Sequence, residues 1–205
     1  MKRIAFADLM FSWPPHGGGC TDVKQTATQL VRLGHEVHLF VPDFKYAWQR
    51  GSVDDTGLEF EVHRVPISRF EFNMWRLPAK FRRAVDTIAP DIVWFGDSYF
   101  LKPYLIDKFR DMPIIARFYT YEIHCPNYYS LFRHGSTCST DYLRTPAKCM
   151  LCGTRAMRGP ITRWQNDVWS HEFLAAMAFR PGHYKAVRRA IDACNVIIVY
   201  NELAK

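Results

Sequence analysis

The stretch IAFADLMFSWPPHGGGCTDVKQTATQLVRLG, residues 4–34, decides the fold. It begins with a short apolar run, Ile4–Asp8, which is typical of a buried parallel strand. Apolar residues at helical spacing follow from Thr21 to Leu33, before a glycine that favours the end of a helix. Between them lies Pro14-Pro15-His16-Gly17-Gly18-Gly19. Three glycines at a strand-to-helix junction allow a ligand to approach the backbone closely, and the open N–H groups of a helix start favour an anion, usually phosphate.

Strand-like and helix-like patterns alternate along the rest of the chain. The predicted strands are Glu36–Val41, Leu58–Val65, Asp91–Phe95, Pro113–Phe118 and Val196–Val199, and the predicted helices are Trp75–Ile88, Tyr99–Phe109, Arg163–Phe179 and Tyr184–Ala193. This alternation predicts an α/β fold, a Rossmann-like parallel sheet with helices on both faces. A length of 205 residues suits a single domain, residues 1–205.

Residues 119–162 break this rhythm and are expected to form a long, irregular, Cys-rich insertion after the fifth strand. Cys149-x-x-Cys152 has the spacing of half a structural zinc site, although it is not expected to open a helix as a thioredoxin-like redox motif would. Structural zinc and free thiols both remain open, whereas disulfides are disfavoured in a reducing compartment. The candidate ligands are Cys125, Cys138, Cys149 and Cys152, with His124 or His134 as substitutes.

Composition places the chain among soluble globular proteins, with 48% hydrophobic and 23% charged residues. No apolar run approaches the roughly 20 residues of a membrane span. The amino-terminal apolar run is too short for a signal peptide, so a cytoplasmic location is expected.

A net charge of +7 is partly concentrated in residues 64–83, where basic and aromatic side chains alternate. This mixture suits a membrane surface or an acidic ligand, and a peripheral contact with the anionic inner face of a membrane is one expectation. The alternative is a solvated helix with one aromatic face on the core. The residues concerned are Arg64, Arg69, Arg76, Lys80, Arg82 and Arg83, interleaved with Phe70, Phe72, Trp75 and Phe81.

The glycine loop matches neither of two common phosphate-binding motifs. In a dinucleotide fingerprint that starts at Gly17, Asp22 would occupy the place of the third glycine. The nucleoside-triphosphate loop requires Lys-Ser or Lys-Thr after a glycine, and neither dipeptide follows one here. A flexible turn is the alternative, but the loop leaves a strand at its carboxyl end, where open α/β sheets bind ligands.

Several segments, in this order and spacing, resemble the N-terminal domain of retaining glycosyltransferases of the GT-B fold, family 4 (group 1). The resemblance begins with strand-Asp-x-x-Phe-x-x-Pro-Pro-x-Gly-Gly and spans nearly the whole chain. The other matching segments are Leu33-Gly34-His35-Glu36-Val37, residues 89–100, residues 113–126 and residues 194–202.

The resemblance implies that the chain is one half of a GT-B fold, the half that mainly holds the acceptor. Its partners would be a nucleotide-sugar donor, bound mainly by a missing C-terminal domain, and a sugar or lipid-linked acceptor. No cofactor is expected for catalysis. The donor-side E-x7-E motif is absent from the sequence, so the 205-residue chain alone is expected to transfer no sugar.

The resemblance also suggests site residues. The loop residues His16, Gly17, Gly18 and Gly19 would contact the donor phosphates or the acceptor. The family's His-x-His after strand four is replaced by Trp94-Phe95-Gly96, and its His-Asp after strand five by Tyr119-Thr120 or Tyr121-Glu122. The polar residues left as catalytic candidates at these strand ends are Asp97, Tyr119 and Glu122. Asp97 equally suits the N-cap of the following helix.

Two other classes of function remain to be compared with the enzyme. A non-catalytic Rossmann-like module could hold an anionic ligand at the same sheet edge. A zinc-containing nucleic-acid binder is disfavoured, because the sequence has no zinc-finger pattern and no RNA-recognition strand motif. No nucleic-acid partner is therefore expected.

Overall fold

A computed structural model describes residues 1–46, 49–119, 125–127, 138–162 and 168–199. Six strands form one parallel sheet in the order β3-β2-β1-β4-β5-β6. The strands are β1 (Arg3–Ala7), β2 (Glu36–Asp43), β3 (Glu61–Pro66), β4 (Ile92–Phe95), β5 (Ile114–Phe118) and β6 (Val196–Val199). The helices are α1 (Gly18–Arg32), α2 (Arg76–Asp86), α3 (Lys102–Lys108), α4 (Pro146–Thr162), α5 (Val168–Ala175) and α6 (Pro181–Ala193). The predicted Rossmann-like α/β class is confirmed.

Alternation along the central strands divides the core between the two faces of the sheet. Ile4 and Phe6 of β1 belong to a cluster with Val23 of α1, whereas Ala5 and Ala7 belong to the larger cluster on the other face. The larger cluster contains the apolar faces of α2, α3 and α6. Because successive side chains of a strand point to opposite faces, both faces must be covered, and the helices do this.

Strand order reverses between β1 and β4, and this reversal positions the site. Chain order runs outward from β1 to β3 on one side and from β4 to β6 on the other. At such a switch point the loops leave the carboxyl ends of neighbouring strands in opposite directions and open a crevice. The glycine loop follows β1, and the segment from Gly96 to Asp97 follows β4.

The prediction that residues 119–162 are irregular throughout is wrong. Helix α4 occupies Pro146–Thr162, with proline in its first turn, where the missing N–H is tolerated. Cys149 and Cys152 therefore lie on a helix. Cys149 and Met157, eight residues apart, are both buried and mark the face that contacts the larger core cluster. The predicted site residues Glu122, His124 and His134 lie outside the described residues.

Helix α2 turns an apolar face to the core, as the alternative interpretation of this basic segment proposed. Its buried residues are Leu77, Pro78, Phe81 and Val85. Within the described parts of the chain, no helix combines the length and the apolar character that crossing a bilayer requires.

Candidate functional site at the switch point

Asp8 organises the crevice between β1 and β4. Its Oδ1 accepts the backbone N–H groups of Met10 and Phe11, each at 2.7 Å. Its Oδ2 accepts the N–H of Asp97, also at 2.7 Å. One buried carboxylate therefore fixes both loops of the switch point relative to each other.

Burial raises the pKa of Asp8 to about 6, even though the three N–H donors and the nearby Lys102 ammonium favour its charged form. The close approach of the β4 loop also depends on Gly96, because a Cβ there would overlap Oδ2 of Asp8 and lie 3.1 Å from its carboxyl carbon. The sequence at this strand end therefore has a steric requirement for glycine.

The glycine loop presents an open helix start. Gly17 is the N-cap of α1 in an extended conformation, and no side chain caps the helix. Gly17 and Gly18 are exposed, and a Cβ on either would meet nothing within 4 Å. The first N–H groups of α1 therefore border open space that a ligand could occupy.

His16 is held by the loop that it belongs to. Its Nδ1 lies 2.5 Å from the hydroxyl of the buried Ser12. The same hydroxyl lies 3.7 Å from the Cys20 thiol, which donates to the Met10 carbonyl oxygen. These contacts fix the loop conformation from both ends.

Asp97 and Tyr119 meet at the first turn of α1. A Cβ on Gly19 would stand 3.2 Å from Asp97 Oδ2 and 3.8 Å from Cδ1 of Tyr119. Three residues predicted separately from the sequence are therefore brought together. Helix α3 begins at Lys102, after Asp97. In the segment between them, the backbone N–H groups of Tyr99 and Leu101 donate to the carboxylate of Glu172 on α5.

Tyr119 links β5 to α1. Its hydroxyl donates to Asp22 Oδ2 at 2.9 Å, while the Arg117 guanidinium pairs with Asp22 Oδ1 at 2.8 Å. Burial and the carboxylates of Asp8 and Asp22 raise the pKa of Tyr119 far above its ordinary value. The phenol therefore remains protonated at neutral pH and acts as a hydrogen-bond donor.

Lys102 places a buried positive charge next to the carboxyl end of β5. Its ammonium donates to the Arg117 carbonyl oxygen at 2.9 Å and lies over the Phe118 ring, 4.5 Å from its centroid. Nothing local in the sequence marks Lys102, Arg117 or Asp22 as site residues, so these three were missed. Asp8 carried a usable signal, since it directly follows a buried strand.

A cleft of about 510 Å³ lies beside the glycine loop. Its size is within the usual range for small-molecule sites. The indole of Trp13 contributes an aromatic wall, and polar side chains from the end of β2, from the loop after it and from Arg64 of β3 surround it. The lining residues are Trp13, Pro14, Asp43, Lys45, Gln49, Arg50, Gly51, Ser52, Val53, Asp54 and Arg64.

The four predicted zinc-binding cysteines gather around the first turns of α4. Asn127 donates to the Cys152 thiol at 3.5 Å, and a Cβ on Gly153 would contact Pro126 at 3.3 Å. The segment that carries Cys125 therefore packs against α4. Burial, together with the nearby Cys125, Cys138 and Cys152, raises the pKa of Cys149 to about 11.

Fold and site together define a Rossmann-like domain whose polar residues lie at the switch point of a 3-2-1-4-5-6 sheet. The model of the glycosyl transferase 4-like domain family matches residues 17–174. The chain therefore belongs to this family, and the resemblance noted in the sequence is confirmed.

Among solved structures, the chain is similar to a UGT transferase from Siraitia grosvenorii in complex with UDP. The TM-score is 0.48 at 12% sequence identity, and the match covers 96% of this chain and 44% of that enzyme. The chain thus spans less than half the length of this structural relative. Comparison with curated protein sequences gives no match.

Proposed function

We propose that this domain is the acceptor-binding half of a glycosyltransferase that moves a sugar from a nucleotide-sugar donor to an acceptor hydroxyl. The observation that carries the proposal is the position of the Asp97 carboxylate against Gly19, where the open start of α1 meets the end of β4. Membership of the glycosyl transferase 4-like family supports the reaction class.

Electrostatics favour a hydroxyl over a phosphate at this point. Two unit charges 4 Å apart repel by about 4 kcal/mol at an effective dielectric constant of 20. A helix start stabilises an anion by only about 0.3–1 kcal/mol, and by about 2 kcal/mol in favourable geometry. A phosphate beside Asp97 is therefore disfavoured. An acceptor hydroxyl, in contrast, can donate to Asp97 and accept from the N–H groups of the glycine loop.

The neighbouring cleft suits the rest of a sugar acceptor. The indole of Trp13 offers an apolar face, and Asp43, Lys45 and Asp54 provide hydrogen-bonding groups around it. Small-molecule sites commonly combine an aromatic wall with a few polar groups that fix orientation. Asp97 acts in this proposal by orienting the reacting hydroxyl, and Tyr119 acts by positioning α1 through Asp22.

The nucleotide-sugar would be bound mainly by a second domain, and retention of the anomeric configuration is the stereochemical outcome proposed. Both inferences are supported by the resemblance to family 4. Nuclear magnetic resonance of the glycoside product, recorded early in the reaction, distinguishes retention from inversion.

The decisive experiment compares Asp97→Asn with Asp192→Asn in the full-length gene product. Loss of a charged hydrogen-bond acceptor for the substrate should lower kcat/KM by about 10- to 100-fold. Asp192 is exposed on α6, and its substitution should leave kcat/KM unchanged. Equal activity of the two variants would refute the role of Asp97. Acceptor binding without any turnover would instead favour the non-catalytic binding module.

We further propose that the acceptor is lipid-linked and that the protein is cytoplasmic and rests on the inner face of the membrane. Two aromatic side chains support this, since Phe70 and Trp75 are 83% and 63% exposed. They lie between β3 and α2, at the carboxyl edge of the sheet that also carries Asp97. Exposed aromatic residues beside basic ones are typical of membrane-surface contacts.

We also propose that Cys125, Cys138, Cys149 and Cys152 bind structural zinc. Their grouping around the start of α4 supports this, although no three of these thiols lie within 4.8 Å of one another in the described residues. Zinc would displace the thiol protons and draw the sulfurs together. Elemental analysis of protein purified without chelators should find zinc, with less in Cys149→Ser. Metal-free, folded wild-type protein would contradict the proposal.

A further inference from the structure

Three metal-ligating side chains meet on the outer strands of the sheet. His38 lies on β2, and Glu61 and His63 lie on the neighbouring β3. The Nδ1 of His38 is 2.9 Å from the Nε2 of His63 and 3.3 Å from Glu61 Oε2, and the Nε2 of His63 is 3.6 Å from Glu61 Oε1. Among the described residues, this is the one group of three such side chains whose ligand atoms all lie within 4.8 Å of each other.

These separations match those around a bound metal ion. Zinc binds imidazole nitrogen and carboxylate oxygen at about 2.0–2.2 Å in a tetrahedral arrangement, which places the ligand atoms about 3.3 Å apart. We propose that His38, Glu61 and His63 form a site for a divalent transition-metal ion such as Zn²⁺. Three protein ligands leave the fourth position for a water molecule.

Glu36 supplies the support that a metal-binding histidine usually has. Its Oε1 lies 2.9 Å from the Nε2 of His38 and 2.8 Å from the Nε of Arg3. A carboxylate that accepts the Nε2–H leaves the lone pair of Nδ1 directed at the metal position. The tautomer that the metal requires is therefore the one that Glu36 favours.

Burial differs across the group in a way that suits metal entry. His38 is buried, and His63 stacks on Phe40 with ring centroids 4.5 Å apart, so both rings are held in place. The side chain of Glu61 is 64% exposed and gives access from solvent. Without metal, one histidine can donate to the other. Metal binding requires that Nδ1 of His38 and Nε2 of His63 both present lone pairs. The proton on Nε2 of His63 must therefore leave or move to Nδ1 of the same ring.

The location points to a structural or regulatory role. His38 pairs with Glu61 at the first residue of β3, in the amino-terminal half of the sheet, whereas Asp8 and Asp97 follow the carboxyl ends of their strands. A metal here would tie the edge strand β3 to β2. Such a crosslink stabilises an edge that is otherwise paired on one side only.

Titration of the full chain with Co²⁺, followed by its visible spectrum and by competition with Zn²⁺, tests the proposal. Cobalt bound by nitrogen and oxygen gives only weak visible bands, whereas thiolate ligands add an intense near-ultraviolet band, so the cysteines of α4 are distinguished. His63→Ala should remove the nitrogen-and-oxygen component. Glu61→Gln and Glu36→Gln should each weaken its affinity by about 10- to 100-fold.

His35→Ala is the matched control, since His35 is a half-buried histidine directly before β2 that accepts the backbone N–H of Lys2 and lies outside the group of three ligands. It should bind cobalt as the wild type does. Identical affinity and stoichiometry in the wild type, His63→Ala and Glu61→Gln would overturn the proposal. Glu61 is mostly exposed, so its substitution keeps the test valid even if His63→Ala fails to fold.

Discussion

The backbone of Gly96 lies directly against the carboxylate of Asp8, so closely that a Cβ at position 96 would stand 3.1 Å from the carboxyl carbon of Asp8. This contact allows Asp8 to accept the N–H of Asp97. It therefore fixes the distance between the loops after β1 and β4, and the candidate site depends on it.

Gly96→Ala should destabilise the protein by about 1–3 kcal/mol, because the added methyl group must displace a buried, hydrogen-bonded carboxylate. Chemical denaturation measures the change. Gly182→Ala is the control, since a Cβ there meets nothing within 4 Å. Equal stability of the two variants would contradict the prediction, because it would show that the Asp8 carboxylate can move at little energetic cost.

Asp8 should make stability depend on pH. Its pKa rises from 3.8 to about 6 on folding, so between these values the folded state holds more protons than the unfolded state. The stabilising contribution of Asp8 to the free energy of unfolding is therefore fully present below pH 3.8 and is lost as pH rises through 6. At about 1.4 kcal/mol per unit, the difference in unfolding free energy between wild type and Asp8→Asn should fall by about 3 kcal/mol over this interval. If the difference in unfolding free energy between wild type and Asp8→Asn did not change with pH, the raised pKa of Asp8 would be contradicted.

Tyr119→Phe should lower stability by about 1 kcal/mol, because Asp22 loses one hydrogen bond but keeps Arg117. The shape of the pH–rate profile should not change, since the phenol keeps its proton across the neutral range. Denaturation and kinetics of the full-length gene product measure the two effects. Loss of one limb of the profile would instead assign an acid–base role to Tyr119.

The ion pair between Arg50 and Glu172, 3.0 Å apart and fully buried, should be sensitive to the loss of one partner. Burial raises the pKa of Glu172 and lowers that of Arg50, and their mutual attraction opposes both shifts. Arg50→Met should cost about 3–5 kcal/mol, because a buried carboxylate loses its counter-charge. Adding Glu172→Gln should recover part of this loss, since Gln can still accept the N–H groups of Tyr99 and Leu101.

An exposed ion pair provides the comparison for the stability changes of the Arg50 and Glu172 variants. Arg144 is 88% exposed and lies 3.7 Å from Asp141. Arg144→Met should change the free energy of unfolding by less than about 1 kcal/mol. If Arg50→Met with Glu172→Gln were no more stable than Arg50→Met alone, the unpaired buried charge of Glu172 would not be the cause of the destabilisation.

Membrane binding should depend on the exposed aromatic residues more than on the basic ones. Several basic groups of residues 64–83 already have acidic partners, such as Lys80 with Glu71 and Arg82 with Asp111. Replacing Phe70 and Trp75 by alanine should reduce co-sedimentation with vesicles that contain phosphatidylglycerol. Leu33→Ala, which also removes an exposed apolar side chain, is the control. Unchanged binding of the double variant would contradict the lipid contact.

Local patterns predicted most of the fold. Every strand of the sheet was expected within a few residues, because a buried run of β1 or β4 is visible as apolar sequence. Helix α4 was missed, since Gly153, Gly159 and Pro160 obscure its period and contact with the core stabilises it. The glycine loop, Asp97 and Tyr119 could be placed at one edge of the sheet because each follows a predicted strand, and their roles stay predictions.

The sequence by itself determined the alternation of strands and helices, the glycine loop and the family, because these are properties of neighbouring residues. Only the tertiary structure decided that Asp8 accepts the N–H of Asp97, 89 positions away, and that Tyr119 donates to Asp22, 97 positions away. The physical reason is strand order. Pairing β1 with β4 rather than β3 brings distant loops together, and the buried charges there are stable only when each has the partner that this pairing supplies.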